Sequence, residues 1–125
     1  MKIYNATSSK ITILYKGCYK YDKAFDKYVI NTMPIVIAKI PSDLVLTARL
    51  KTTEMHLPNG IPVYEQYVTS IDKLPKGFDA YIVTAIYASA LKRHKFDRNI
   101  YILDEPVYTR DGLAVIGYRG LCKLT

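Results

Sequence analysis

The fold of this 125-residue chain is decided by residues 81–92, which read YIVTAIYASALK. Tyr81 to Val83 form a short apolar run that is typical of a buried strand. Thr84 then stands where a helix N-cap is expected, because its hydroxyl can accept a hydrogen bond from the next turn of backbone. From Ala85 to Lys92 apolar side chains recur at helical spacing. The stretch therefore predicts a strand that leads directly into a helix.

Outward from this segment, alternating apolar residues and β-branched residues predict strands on both sides of the helix. We expect strands at 2–5, 11–16, 29–40, 44–52 and 61–71, and again at 99–103 and 113–118. Met33-Pro34 and Ile40-Pro41 interrupt the longest apolar stretch, since proline withholds a backbone donor. Asn59-Gly60 predicts a tight turn between two strands. Residues 22–27 fit a helical turn that is too short to be stable alone, so their structure stays open.

These elements predict an α+β fold in one domain, residues 1–125. Half of the residues are hydrophobic, which suffices for one ordinary core. We expect a β-rich twisted antiparallel sheet, or a small open barrel, with one main helix lying across it. Because exposed sheet edges are often paired away, we also expect a homo-oligomer.

The chain carries a net charge of +7, from 18 Lys and Arg against 11 Asp and Glu. This excess favours anionic partners such as nucleotides, nucleic acid or a membrane face. No apolar run approaches the roughly 20 residues of a membrane span, and the N-terminus lacks the apolar core of a signal peptide. Cys18 and Cys122 lack the spacing of a disulfide framework or metal knuckle. We therefore expect a cytoplasmic protein without a membrane partner.

Residues suited to catalysis are few in this sequence. His56 lies beside a turn and His94 in a basic helix end, and neither belongs to a zinc-binding spacing. The two cysteines have no neighbouring histidine in sequence to lower their pKa. A Walker loop and a dinucleotide fingerprint are both absent. The sequence therefore favours binding over catalysis, with no cofactor and no metal, and assigns phosphate recognition to side chains.

Arginines near strand ends are the candidates for that recognition. Arg119 is the foremost, because it lies within Ile116-Gly117-Tyr118-Arg119-Gly120-Leu121, where flanking glycines would let an anion approach its guanidinium group. Asp104 or Asn99 could bind a ribose hydroxyl. Twelve tyrosines offer faces for stacking a base, although half-buried strand positions explain most of them. The predicted ligand-binding residues are Arg49, Tyr64, Arg98, Asn99, Asp104, Arg110 and Arg119.

A series of short motifs spans nearly the whole chain. They are Asn5-Ala6-Thr7, Ala48-Arg49-Leu50, Ile61-Pro62-Val63-Tyr64, Tyr81-Ile82-Val83-Thr84 with Ala88, Arg110-Asp111-Gly112 and Ile116-Gly117-Tyr118-Arg119-Gly120-Leu121. In this order they resemble a group of small phage and prophage proteins, identified as the first family of Thoeris anti-defence proteins. Members of that family are phage sponges that capture the cyclic ADP-ribose signal made by bacterial TIR enzymes.

The resemblance implies a phage protein that binds a cyclic nucleotide messenger, without cleaving it, in the cytoplasm of the infected bacterial host cell. It implies a homo-oligomer built from dimers, up to a hexamer, with a pocket between subunits. In some members that pocket coexists with a site for cyclic oligonucleotides. Arg110 and Arg119 match the family's C-terminal pattern and would contact the phosphates. Two departures are Tyr64-Glu65, where a basic residue is expected, and residues 5–9, which lack the expected proline and histidine.

Two other classes of function fit the composition. The chain resembles a small basic single-stranded nucleic-acid-binding protein, in which lysines follow the strand and tyrosines stack on bases. Such a protein would lose affinity steeply with salt, whereas a sponge would saturate at a fixed stoichiometry. The third class is a virion or assembly protein with no small-molecule site.

Overall fold

The computed structural model describes residues 1–92 and 99–125, and its elements confirm the α+β class. The strands before the helix are β1 (Ile3–Asn5), β2 (Ile11–Leu14), β3 (Tyr19–Asp22), β4 (Lys27–Ile30), β5 (Val36–Ile40), β6 (Ala48–His56), β7 (Pro62–Ile71) and β8 (Ala80–Ile82). Helix α1 (Ala85–Leu91) is followed by β9 (Ile100–Leu103), β10 (Pro106–Tyr108), β11 (Val115–Tyr118) and β12 (Leu121–Lys123). A short 3-10 turn (Lys16–Cys18) precedes β3.

The strands form three sheets, and none of them closes into a barrel. The four-stranded sheet has the order β1-β8-β9-β12, in which β1, β8 and β9 are parallel and β12 is antiparallel. The six-stranded sheet has the order β3-β4-β10-β11-β2-β5. β6 and β7 pair only with each other, as an antiparallel ribbon. The sheets are thus mixed rather than uniformly antiparallel, since a helical crossover such as α1 returns the chain parallel to β8.

The four-stranded sheet is the middle layer of the molecule. One face, with Tyr4, Tyr81 and Ile100, packs against α1. The other face, with Ile82 and Tyr101, packs against strand β2 of the six-stranded sheet. The alternation of side chains along each strand produces these two faces, and burial of both faces accounts for the nearly continuous apolar run at residues 80–83.

Helix α1 confirms the prediction made from residues 81–92. The Thr84 hydroxyl accepts a hydrogen bond from the Tyr87 backbone N–H at 3.2 Å, as expected of an N-cap. Tyr87, Ala88, Ala90 and Leu91 are buried at helical spacing. The helix ends at Leu91, one residue before the predicted end, with Lys92 as C-cap. His94 and the rest of the predicted basic helix end lie outside the described residues.

Strand boundaries differ from the predictions where prolines and turns intervene. The predicted strand at 29–40 is divided into β4 and β5, with Pro34 between them, because proline withholds a backbone donor. The Asn59-Gly60 turn joins β6 to β7, and Gly60 has a φ of +87° that favours glycine. Residues 22–27 contain the β3–β4 turn, in which an Asp22 carboxylate oxygen accepts from the Ala24 N–H at 2.8 Å.

Strands β3, β10 and β12 had no counterpart in the predictions, because they are short or carry polar residues.

No helix in residues 1–92 or 99–125 has the length and apolar character needed to cross a membrane.

Candidate anion-binding site

Arg119 follows β11 and is held by a carboxylate from the loop before β10. Its Nε and Nη2 both lie 2.9 Å from Asp104 Oδ2. Its backbone N–H donates to the Glu105 carbonyl at 3.0 Å, and its Nη1 donates to the Tyr28 hydroxyl. The guanidinium carbon lies 4.4 Å from the centre of the Tyr28 ring. Arg119 is therefore fixed in position, with its side chain 34% exposed.

The glycine before Arg119 has an explanation within the chain. A Cβ atom on Gly117 would lie 2.8 Å from Leu14 Cγ and 3.1 Å from the Thr12 carbonyl oxygen. Glycine is thus required where β11 packs closely against β2. The sequence prediction that this glycine marks the approach of a ligand is corrected, because β2 occupies that space. At Gly120 an added Cβ would meet nothing within 4 Å.

Three tyrosines from β3 and β4 lie around the arginine. Tyr28 makes edge-to-face contacts with Tyr19, at 5.9 Å between ring centres, and with Tyr21, at 5.4 Å. Burial raises the pKa of Tyr19, while the nearby Arg119 charge acts in the opposite direction. Tyr21 is 46% exposed, so its ring is accessible to a stacking partner. The hairpin thus presents an aromatic surface beside a fixed cation.

These side chains line a cavity of about 490 Å³, which we call the tyrosine pocket. Its lining consists of Lys16, Tyr19, Lys20, Tyr21, Tyr28 and Arg119. Three of these six residues are cationic, three are aromatic and none is acidic. Lys16 and Lys20 form no ion pair with any described residue. The pocket therefore combines uncommitted positive charge with ring faces, which suits an anion that carries a flat ring.

A neighbouring cavity of about 530 Å³ shares Tyr21, Tyr28 and Arg119 with the tyrosine pocket. We call it the acidic recess, because its remaining lining residues are Asp26, Lys27, Asp104 and Glu105. Lys27 is already occupied: its Nζ donates to the Gly112 carbonyl at 3.1 Å and lies 4.4 Å from the centre of the Tyr108 ring. The carboxylate oxygens of the acidic recess can accept hydrogen bonds from hydroxyl groups. The recess adjoins the tyrosine pocket, whose lining is basic and aromatic.

Opposing effects determine the ionisation of Asp104. Burial acts to raise its pKa, but hydrogen bonds from the Glu105 backbone, Arg119 and Cys122, together with the Arg119 charge, lower it overall. The hydrogen bond to Asp104 raises the pKa of Arg119. Asp104 is therefore ionised at neutral pH, where it serves as an acceptor and is a weak proton-accepting base.

Cys122 is the cysteine nearest to this site. Its Sγ donates to Asp104 Oδ1 at 3.3 Å, and this hydrogen bond raises the pKa of the thiol. A protonated thiol is a weak nucleophile. Cys18 is buried, with its Sγ donating to the Tyr15 carbonyl at 3.0 Å. Among residues 1–92 and 99–125, no group of three or more His, Cys, Asp or Glu could hold a metal ion.

Two predicted site residues near the C-terminus lie apart from Arg119. Arg110 is in the turn between β10 and β11, whereas Arg119 lies at the opposite end of that hairpin. Asn99 precedes β9, and its Nδ2 donates to the Asp79 carbonyl at 3.3 Å. Arg98 lies outside the described residues. Of the predicted residues, the structure brings Asp104 and Arg119 into direct contact.

The other two predicted residues lie on the β6–β7 ribbon. Arg49 on β6 is 65% exposed and has its Nη1 3.5 Å from Asp72 Oδ1. Tyr64 on β7 is 62% exposed. Neither residue belongs to the tyrosine pocket or the acidic recess.

No protein-family model, no curated protein and no solved structure matches this chain. The resemblance to the sponge family therefore stays a prediction. The functional conclusion rests on the residues that line the tyrosine pocket and the acidic recess.

Sequence reasoning missed most of the tyrosine pocket. Lys16, Lys20 and the three tyrosines were absent from the predicted site, although Arg119 was included. A signal was available in Lys16-Gly17-Cys18-Tyr19-Lys20-Tyr21, where basic and aromatic residues alternate. Such interleaving is typical of surfaces that bind nucleotides through stacking and charge.

Proposed function

We propose that the tyrosine pocket binds a nucleotide-derived anion and that the protein is a phage sponge for a cyclic ADP-ribose messenger. The observation that carries the proposal is the lining of that pocket, whose described residues are three cations and three tyrosines with no acid among them. Stacking and charge are the two interactions by which proteins hold nucleotides without reading a base edge. The acidic recess beside the pocket adds acceptors for sugar hydroxyls.

The phosphate contact is assigned to Lys16 in this proposal. Lys20 lies between Tyr19 and Tyr21 on β3, so its side chain leaves the strand on the face opposite to the two rings. The guanidinium group of Arg119 already contacts Asp104 through two nitrogens, so much of its capacity for bidentate binding is occupied. Arg119 instead lies over Tyr28 and adds positive charge to the wall of the pocket. Lys16 forms no ion pair with a described residue, and its flexible ammonium group suits phosphate oxygens.

The base and the sugar are assigned to neighbouring parts of the site. Tyr21, with a half-exposed ring, offers a face for stacking. Asp104, predicted from the sequence to bind the sugar, lines the recess together with Glu105. The Glu105 side chain accepts no hydrogen bond from a described residue, which leaves its oxygens available to ribose hydroxyl groups.

Retention of the ligand without cleavage is part of the proposal. Asp104 and Cys122, which contact each other beside Arg119, are two of the groups at the site with lone pairs for attack or proton removal. The lowered pKa of Asp104 makes it a weak base, and the raised pKa of Cys122 keeps its thiol protonated. A sponge acts by mass action, since messenger held by the protein is withdrawn from its effector.

The proposal also includes a homo-oligomer in the cytoplasm of the infected bacterial host cell. β5 is at one edge of the six-stranded sheet, where Ile35 just before the strand and Ile37 within it are 49% and 62% exposed. Unpaired apolar edges of this kind are commonly covered by another chain. β3 forms the opposite edge and lines the tyrosine pocket, so a second copy at that edge would extend the site.

Recovery of intact ligand tests the proposal. The protein is incubated with the cyclic ADP-ribose signal, freed of unbound ligand by desalting and denatured, and the released compound is identified by mass spectrometry. We expect the unchanged messenger at a fixed stoichiometry. Recovery of breakdown products alone would contradict retention and indicate an enzyme.

A matched pair of tyrosine variants locates the site. Loss of a stacked base costs about 1–3 kcal/mol, so Tyr21→Ala should weaken binding by about five- to 150-fold. Tyr64→Ala, which removes an exposed tyrosine from the ribbon, should leave affinity unchanged. The reverse result would place the ligand on the ribbon. Tight binding of single-stranded oligonucleotides with a steep salt dependence would favour the nucleic-acid-binding alternative.

A further inference from the structure

A third cavity, of about 320 Å³, lies at the carboxyl ends of the three parallel strands β1, β8 and β9. Its lining comes from residues Thr7–Ile11 after β1, Val83–Ala85 after β8, Ile102 and Leu103 of β9, and Tyr118 of β11. We call it the switch-point pocket. None of its described lining residues lines the tyrosine pocket or the acidic recess.

The position of this cavity follows from the paths of two connections. After β8 the chain turns to α1, which packs on one face of the four-stranded sheet. After β1 the chain crosses to β2, which packs on the opposite face. Neighbouring parallel strands whose connections diverge in this way leave a crevice at their carboxyl ends. Open sheets with parallel strands commonly bind small ligands in such crevices.

The β1–β2 loop that forms one wall is held by a buried side chain. Asn5 is fully buried, and its Nδ2 donates to the Ser9 carbonyl at 2.9 Å. Its Oδ1 accepts from the Thr7 backbone N–H at 3.0 Å. The Ala6 N–H donates to the Ile82 carbonyl at 2.8 Å, which extends the β1–β8 pairing into the loop. The wall is therefore formed before any ligand binds, which lowers the entropic cost of binding.

The chemistry of the lining indicates the class of ligand. Of the described lining residues, Ile102, Leu103 and Tyr118 are partly exposed and supply apolar surface, and none is acidic. Lys10 is the only cation among the described lining residues, and it forms no ion pair with any described residue. The Ser8 and Ser9 hydroxyl groups add donors beside it. Apolar walls with one uncompensated cation and nearby hydroxyl groups complement a compact oxyanion with an apolar body.

We infer that the switch-point pocket binds a small organic oxyanion, a carboxylate or a phosphate monoester, through the Lys10 ammonium group and the apolar wall of Ile102, Leu103 and Tyr118. The inference does not depend on the proposed function of the tyrosine pocket, because the two cavities are separate.

Titration of the full chain with three matched probes, followed through backbone amide chemical shifts by NMR, tests the inference. Phenylacetate and phenyl phosphate carry the oxyanion, while phenylacetamide has the same ring and no charge. We expect saturable shifts at amides 8–11 and 83–85 with at least one anionic probe, at dissociation constants of about 1 mM. The probe with the lower dissociation constant identifies the head group. Equal binding of phenylacetamide, or shifts confined to other residues, would overturn the inference.

Variants of the lysine provide the second test. Loss of one charge-assisted contact should make Lys10→Met bind the preferred anionic probe at least about tenfold more weakly. Lys76→Met removes an exposed lysine from another loop and should bind as the unchanged protein does. Lys10→Glu should abolish binding through charge repulsion. Retained shift dispersion would show that each variant folds, and unaltered affinity of both Lys10 variants would overturn the inference.

Discussion

The tyrosine pocket and the β6–β7 ribbon contain the same kinds of side chain in different surroundings. In the pocket, two guanidinium nitrogens of Arg119 lie 2.9 Å from Asp104, and the side chain is 34% exposed. On the ribbon, Arg49 lies 3.5 Å from Asp72 and is 65% exposed. An exposed ion pair of this length contributes little because water and salt screen it. The comparison shows that sequence neighbours alone do not distinguish a fixed arginine from a solvated one.

The tyrosines show the same contrast. Tyr21 and Tyr28 are direct cross-strand partners, so their rings lie on one face of the hairpin. Tyr64 pairs with Glu54 and Tyr67 with Lys51, and the separation of three residues places the two tyrosines on opposite faces of the ribbon. The ribbon consequently offers no shared stacking surface, whereas the pocket does. Strand register decides which aromatic rings share a face, and the order of strands in the sheet decides which charged side chains meet.

The largest expected effect is a loss of stability on substitution of Gly117, where β11 packs against β2 two residues before Arg119. In Gly117→Ala the new methyl group would overlap Leu14, and overpacking of this kind costs about 1–3 kcal/mol of unfolding free energy. Urea unfolding followed by circular dichroism measures the loss. Gly120→Ala is the matched control, and we expect a change below about 0.5 kcal/mol because its methyl group meets no atom within 4 Å. Equal losses in both variants would show that β11 is not closely packed against β2.

The next largest effect is the difference in stability between alanine variants of Arg119 and Arg49. Arg119→Ala removes the charged partner of Asp104 and should reduce the free energy of unfolding by about 1–2 kcal/mol. Arg49→Ala should leave the unfolding midpoint unchanged, since its contact with Asp72 is exposed. A loss at Arg49 as large as that at Arg119 would contradict the distinction drawn between pocket and ribbon.

The smallest expected effect is a change in how the stability of the protein depends on pH. The pKa of Asp104 is lowered in the folded state, so its contribution to stability is present above the unfolded pKa of about 3.9 and is lost as pH falls towards the folded value. Asp104→Asn should therefore flatten the decline of stability below about pH 5. The measurement is thermal unfolding from pH 2 to 7, in steps of about 0.5 pH unit around the usual pKa of Asp.

Asp72 at the base of the ribbon is the counterpart for this comparison. Hydrogen bonds from the Thr47 backbone and side chain, with a smaller effect of Arg49, lower its pKa. We expect Asp72→Asn to flatten the same decline less than Asp104→Asn does, because solvent screens its surroundings more. A larger effect at Asp72 would reverse the ranking of the two regions.

Several elements were predictable because their signals are local. Thr84 marked the start of α1, Asn59-Gly60 marked the β6–β7 turn, and Pro34 separated β4 from β5. Each signal acts through backbone geometry or a hydrogen bond within a few residues. β3 was missed because its sequence, YKYD, has a polar and half-exposed pattern that does not mark a buried strand.

The site was predictable only in part. Arg119 and Asp104 were named from the sequence, and they do form an ion pair. Tyr28, the other side-chain partner of Arg119, lies 91 positions from it along the chain. No local pattern relates two such residues, because their contact exists only when β4, β10 and β11 are neighbours in one sheet. Gly117 was interpreted as a ligand signal for the same reason, since its real neighbour Leu14 is equally remote in sequence.

The amino-acid sequence by itself determined the α+β class, the one described helix with its cap, the main turns and the excess of positive charge. Those properties depend on composition and on interactions between residues close along the chain. Only the tertiary structure decided which arginine is held by a carboxylate, which tyrosines share a face, and where the parallel strands leave a crevice. Strand order and register bring residues that are distant in sequence within a few ångströms of each other. Both strand order and register depend on the packing of the whole chain.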